Sequence, residues 1–171
     1  MTVREIVTLP QAILRHKAHK ASDFGPGFQT LVDDMVETLH QAPGVGLAAP
    51  QVDESIRLIV VEFGDEENEE TPAKLYVIAN PEITRTSPET LVGTEGCLSI
   101  PGIQGDVERF VAVTVKGLNR QGRPMTVKAK GWLARIFQHE IDHLDGILFV
   151  DRAEKLWQTE QDQGQVMPEK A

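Results

Sequence analysis

Hydrophobic residues near the start of the chain first settle into a helical rhythm in "FQTLVDDMVETLHQ" (28–41). There Phe28, Leu31, Val32, Met35 and Leu39 recur three and four positions apart, with acids between them. That period predicts an amphipathic helix, stopped by Pro43-Gly44. The following "GVGLAAPQ" (44–51) is too short and too rich in glycine for an element of its own and reads as a loop. "RLIVVEF" (57–63) and "KLYVIANPEI" (74–83) are β-branched, strand-like runs. The acidic "GDEENEETP" (64–72) between them reads as a solvated hairpin loop. "VAVTVKGL" (111–118) and "PMTVKAKG" (124–131) add two strands, joined through "NRQGR", a turn containing Gly122.

After Gly131 the helical period returns in "WLARIFQHEIDHL", on Trp132, Leu133, Ile136, Phe137, Ile141 and Leu144. Apolar neighbours on so much of its surface predict a central, mostly buried helix, and Gly146 is positioned to end it. The tail "AEKLWQTEQDQGQVMPEKA" begins helix-like around Leu156 and Trp157, then turns polar and is expected to fray from about residue 160. This order of elements predicts a single α+β domain over residues 1–171, with antiparallel or mixed β-sheets packed around the late helix.

Composition narrows the function classes. A chain of 171 residues is long enough for a real core. A net charge of -9, with no Lys/Arg cluster, argues against a nucleic-acid-binding surface. The N-terminus carries Arg4 and Glu5 and no apolar stretch of a secretory signal. No segment approaches the roughly 18 apolar residues of a membrane span. One cysteine excludes an intramolecular disulfide. A cytoplasmic protein without a membrane partner or direct nucleic-acid binding is expected.

The late helix carries the chemistry. In "FQHEIDHLDG" (137–146), His139 and His143 lie four apart and therefore on one helix face, where both can reach one metal ion. Glu140 projects toward the open side of that ion, where a general base would sit. This is the H-E-x-x-H pattern of zinc peptidases. Its usual third ligand lies downstream, yet Phe149 stands where one class has a histidine. The carboxylates Glu154 and Glu160 are unattractive, one close to the helix end and one in the polar tail. Upstream, His16 and His19 sit in the basic, surface-like "RHKAHK", and His40 near the end of the first helix, where a histidine commonly interacts with the helix dipole. Cys97 differs. "EGCLSIPG" (95–102) brackets the thiol with glycines and a proline, a setting that brings sulfur close to a bound atom. A lone cysteine is usually a small buried hydrophobe, but a thiolate completing a His₂Cys site explains more of this context.

With these residues assembled, the chain resembles the peptide deformylases: "GVGLAAPQ" (44–51), "EGCLS" (95–99) and "QHEIDH" (138–143) match in order. The resemblance implies removal of the N-formyl group from the initiator methionine of nascent polypeptides, releasing formate. It implies Cys97, His139 and His143 as metal ligands, Glu140 as the base, and the Gln51 amide and Leu98 backbone N–H as oxyanion donors. Gly44, Val45 and Gly46 would run beside the substrate peptide as an added strand. The implied metal is Fe(II) in the cell, with Zn(II), Ni(II) or Co(II) in purified protein.

Val45 and side chains one turn before His139 are the candidates for the methionine pocket. Arg135, on that turn, either lines it, contacts substrate carbonyls or makes a surface salt bridge. Glu95 with Arg109, and Asp142, are candidates for bracing the ligands. Some members dock on the ribosome through a long basic C-terminal helix. The tail here is short and mixes acids and glutamines with its lysines, so contact through such a helix is not expected. Two rival readings are a zinc endopeptidase using a downstream carboxylate and a non-catalytic metal-stabilised domain.

Overall fold

A computed structural model describes residues 1–64, 68 and 70–159. Strand β2 (Leu58–Phe63) divides the core. Its side chains alternate between two buried faces, as a pleated strand requires. Leu58 and Val60 join Phe28, Leu31, Val32, Met35 and Leu39 of α1 (Pro26–Gln41). Ile59 and Val61 join Ile136, Phe137, Ile141 and Leu144 of α2 (Gly131–Leu144). The sheet between the two helices is antiparallel, in the order β1-β2-β3-β6-β7, with β1 at Gly46–Ala48, β3 at Lys74–Thr86, β6 at Ala112–Leu118 and β7 at Pro124–Lys130.

A second antiparallel sheet has the order β4-β5-β8, from Thr90–Cys97, Ile100–Phe110 and Lys155–Gln158. Its apolar side, with Cys97, Ile100 and Val107, packs on Leu148 and on Phe149 of the short α3 (Phe149–Arg152). The late helix therefore has the large sheet on one side and the Cys97-bearing strand of the small sheet on another. This is the α+β arrangement that the pattern predicts. Gly146 ends α2 as expected: its φ of +73° lets Gly146 N–H reach the His143 carbonyl at 3.2 Å and Ile147 N–H reach Asp142 at 3.0 Å.

Three local readings differ. Gly46–Ala48 is a strand rather than loop, paired with β2 from Gly46↔Val61 to Ala48↔Ile59; three residues are too few to display a period. Residues 90–110, given no element by pattern, form the hairpin β4–β5, because glycines and inward-facing charged residues interrupt its alternation. Leu156 and Trp157 lie in β8, not in a helix, since pairing with Gly105 and Gln104 supplies backbone partners along β5. Four of the nine residues of the acidic stretch (65–67 and 69) and the tail from 160 lie outside the described residues. No helix among those described is long and apolar enough to cross a membrane.

Candidate metal centre

A strand presents the same face every second residue, about 6.8 Å along, and a helix every fourth, about 6.0 Å. The two repeats nearly coincide, so β4 and α2 meet as a ladder. Gly93 faces Arg135, Glu95 faces His139, and Cys97 faces His143. A register shift between Gly96 and Cys97 marks the end of β4, where the chain turns at Leu98-Ser99 into β5. Such irregularities re-aim a side chain.

The ligand-capable atoms of Cys97, His139 and His143 lie within 4.8 Å of one another, all buried. Cys97 Sγ is 3.3 Å from His143 Nε2. The Nδ1–H of His139 donates to Glu95 Oε1 at 2.9 Å, which leaves its Nε2 as a lone-pair donor. That buried Nε2 has no protein hydrogen-bond partner among the described residues. One soft thiolate and two imidazoles are a donor set suited to zinc and tolerant of ferrous iron. Phe149, where a third histidine would stand, instead stacks on the His139 ring at 6.1 Å between centroids. Glu154 is exposed, its N–H bonded to the Asp106 carbonyl, outside this cluster. Glu160 lies outside the described residues. His16, His19 and His40 are exposed.

The buried charges around the cluster are paired with one another. Burial alone would raise the Glu95 carboxyl, but hydrogen bonds from Arg109 and His139 overcome it and hold it well below the usual range. Arg109 grips both oxygens of Glu95 at 2.9 Å and holds Asp142 at 2.7 Å. The expected Glu95–Arg109 pair is thus present, and Asp142 braces Arg109 rather than a histidine. Burial opposes a charge on His139, yet the neighbouring sulfur of Cys97 and the carboxylates of Glu95 and Glu140 push its pKa well above the ordinary value. His143 is pushed the other way, by burial and then by His139. His139 thus favours a proton at the Nε2 that a metal would replace, whereas His143 disfavours one.

Glu140 is 1% exposed and sits against β1: a Cβ on Gly46 would lie 2.8 Å from its Oε2. Gly44 and Val45 are half-buried just before that edge strand of the large sheet, and Val45 packs on the cluster around α2. Gln51 is fully buried. Its Oε1 accepts from Ala48 N–H at 3.0 Å, and its Nε2 donates to Ser99 Oγ at 3.1 Å and lies 3.6 Å from Cys97 Sγ. Leu98 is half-buried, next to the cysteine in the turn. The structure therefore brings the candidate residues of three separate motifs to one place. Sequence reasoning missed Ser99 and Gly93. Arg135 is no surface residue: it is 5% exposed and bonds to protein groups. The period-two face of β4 would have exposed both Gly93 and Arg135, had that strand been recognised.

Comparison with known proteins points to one family. The family model described as polypeptide deformylase matches residues 3–159. The peptide deformylase of Natranaerobius thermophilus is 46% identical over 161 residues, covering 94% of this chain and 99% of its own. That of Symbiobacterium thermophilum is 50% identical over 156 residues, 91% of this chain and 69% of the other. Among solved structures, a peptide deformylase from Legionella pneumophila superposes with a TM-score of 0.81 at 42% identity, covering 90% of this chain and 87% of that one. One from Ehrlichia chaffeensis, in complex with actinonin, gives 0.84 at 39% identity and covers 91% of each.

Proposed function

The chain belongs to the polypeptide deformylase family and is a metal-dependent hydrolase that removes the N-formyl group from the N-terminal methionine of newly synthesised proteins; from there we propose how its residues divide the work. Residues 1–171 form a single catalytic domain. Cys97, His139 and His143 hold the metal, and the observation that carries this is their convergence within 4.8 Å. When bound, the metal acts as a Lewis acid that makes water acidic near neutral pH. Its identity in the cell is Fe(II), with Zn(II), Ni(II) or Co(II) able to occupy the site in purified protein, a range that the His₂Cys donor set accepts.

The formyl-methionyl peptide lies along Gly44, Val45 and Gly46, adding a strand beside β1; the glycines permit close backbone approach. That pose brings the formyl carbon toward Glu140, which touches Gly46. Glu140 takes a proton from the attacking water and hands it to the departing amine as the C–N bond breaks and formate leaves. Charge on the tetrahedral oxygen is met by the Gln51 amide and the Leu98 N–H. Gln51 suits this role because its Oε1 is fixed by Ala48, which orients Nε2 toward the cysteine loop. The enzyme works in the cytoplasm on nascent chains.

Formate release from a formyl-Met tripeptide, measured anaerobically alongside metal content, tests this reading. We expect Glu140→Ala to retain metal and lose turnover, and Cys97→Ser to lose both. No formate with Fe(II), Ni(II) or Co(II) bound, or a Cys97→Ser protein with full metal content that cuts internal peptide bonds, contradicts it.

A further inference from the structure

The ladder between β4 and α2 has a rung beyond the metal ligands. Arg135 lies one helical turn before His139, and its guanidinium sits directly over Gly93, two strand residues before Glu95. A Cβ built on Gly93 would fall 2.8 Å from Arg135 Cζ, 2.9 Å from Nη2 and 3.0 Å from Nε. An arginine tip could ordinarily swing away from such a methyl. Here it is 5% exposed and makes three hydrogen bonds. Nη1 donates to Glu95 Oε2 at 2.7 Å and to the Val107 carbonyl at 2.8 Å, and Nη2 to the Leu91 carbonyl at 2.7 Å. The face of Trp132 lies 5.3 Å from Cζ. One side chain thus ties α2 to both β4 and β5.

The division of Glu95 makes the consequence specific. Its Oε1 receives His139 and Arg109, while its Oε2 receives Arg109 and Arg135. Arg109 anchors the carboxylate from the β5 side and Arg135 from the helix itself. Because Arg135 and His139 share one helix face, the Arg135 bond fixes the carboxylate relative to the ring that it must orient. The bond to Leu91 fixes the strand that ends in Cys97, and the bond to Val107 its neighbour β5, against the helix that carries both histidines.

We propose that Arg135, seated over Gly93, is a positioning residue for the metal centre: it locks Glu95 onto His139 and holds the cysteine strand in register with the histidine helix. Only a residue without a side chain at 93 leaves room for it. Gly93 has no positive φ, so its smallness serves the guanidinium rather than the backbone. The proposal rests on the metal-site assignment above, and its readout is metal retention rather than turnover.

Wild type, Arg135→Leu, Gly93→Ala and the double variant are loaded with Co(II). Release to a chelator is followed by stopped flow, the cobalt–thiolate absorption is recorded, and thermal midpoints are measured in parallel. Loss of a group that orients a ligand typically weakens metal binding about 10–100-fold. We expect Arg135→Leu to release cobalt at least about tenfold faster, with an altered cobalt spectrum. Gly93→Ala, which keeps the arginine but displaces it, should act in the same direction, and it should add little in the Arg135→Leu background. Wild-type release and spectrum in either single variant, a lowered midpoint with an unchanged spectrum, or additive effects in the double variant overturns the proposal. Should Arg135→Leu fail to fold, Gly93→Ala alone decides. A wild-type protein that binds no cobalt overturns the underlying site assignment instead.

Discussion

Gln51 is buried among three polar neighbours, and its two amide atoms have different duties. Oε1 is held by Ala48 N–H, whereas Nε2 is directed at the cysteine loop, 3.1 Å from Ser99 Oγ and 3.6 Å from the sulfur. A donor fixed in this way adds nothing to ground-state binding if the oxygen it serves becomes charged only in the transition state. Gln51→Leu is therefore expected to lower kcat by about 10²–10³, on the order of 3 kcal/mol, while KM changes little. Steady-state kinetics on a formyl-Met tripeptide checks this, and an effect confined to KM contradicts it. The H-E-x-x-H residues were legible because a helix imposes their spacing. Gln51 and Leu98 are singled out only by the family resemblance, since nothing local marks a glutamine as buried or a backbone N–H as a donor, and their part as oxyanion donors is a proposal.

At the scale of elements, the site depends on where α2 begins and ends. Gly146 terminates it with a left-handed residue, and a side chain there would run into the backbone carbonyl of Arg15. Gly146→Ala should lower the unfolding free energy by at least about 1–2 kcal/mol, from the left-handed conformation alone. Chemical denaturation measures it; an unchanged midpoint would mean that the chain end is not pinned as described. Both long helices and four of the strands were readable from period, because each has one buried face. Strands β1, β4, β5 and β8 were not. Gly46–Ala48 is too short for alternation, Lys155–Gln158 is a strand only by pairing with β5, and β4–β5 turns Glu95 and Arg109 inward where a pattern expects apolar residues. The part of the sheet that departs from ordinary patterning is the part that carries Cys97.

Across the whole molecule, the N-terminal segment links the outer helix to the site. Val7 N–H bonds to the Gln51 carbonyl at 2.8 Å and Leu9 N–H to Ser99 at 3.0 Å, while Thr2 N–H and Arg4 fasten to Asp34 of α1. The Thr2 backbone bond lowers the Asp34 pKa; burial opposes this and Arg4 reinforces it, for a net shift below the usual value. A carboxylate depressed on folding contributes stability that is present above its unfolded pKa, about 3.9, and lost as pH falls through its folded value. Between pH about 5 and 2, wild type should therefore lose stability more steeply than Asp34→Asn in urea titrations. Parallel curves would show that the ionised anchor contributes nothing.

In the proposed centre a thiolate from β4 and two imidazoles from α2 hold the metal of a deformylase. X-ray absorption on the Fe(II)-loaded protein, kept anaerobic, tests it most directly. We expect one sulfur in the first coordination shell together with nitrogen or oxygen ligands, and loss of that sulfur in Cys97→Ser. A shell of nitrogen and oxygen alone in wild type, unchanged in Cys97→Ser, would contradict it.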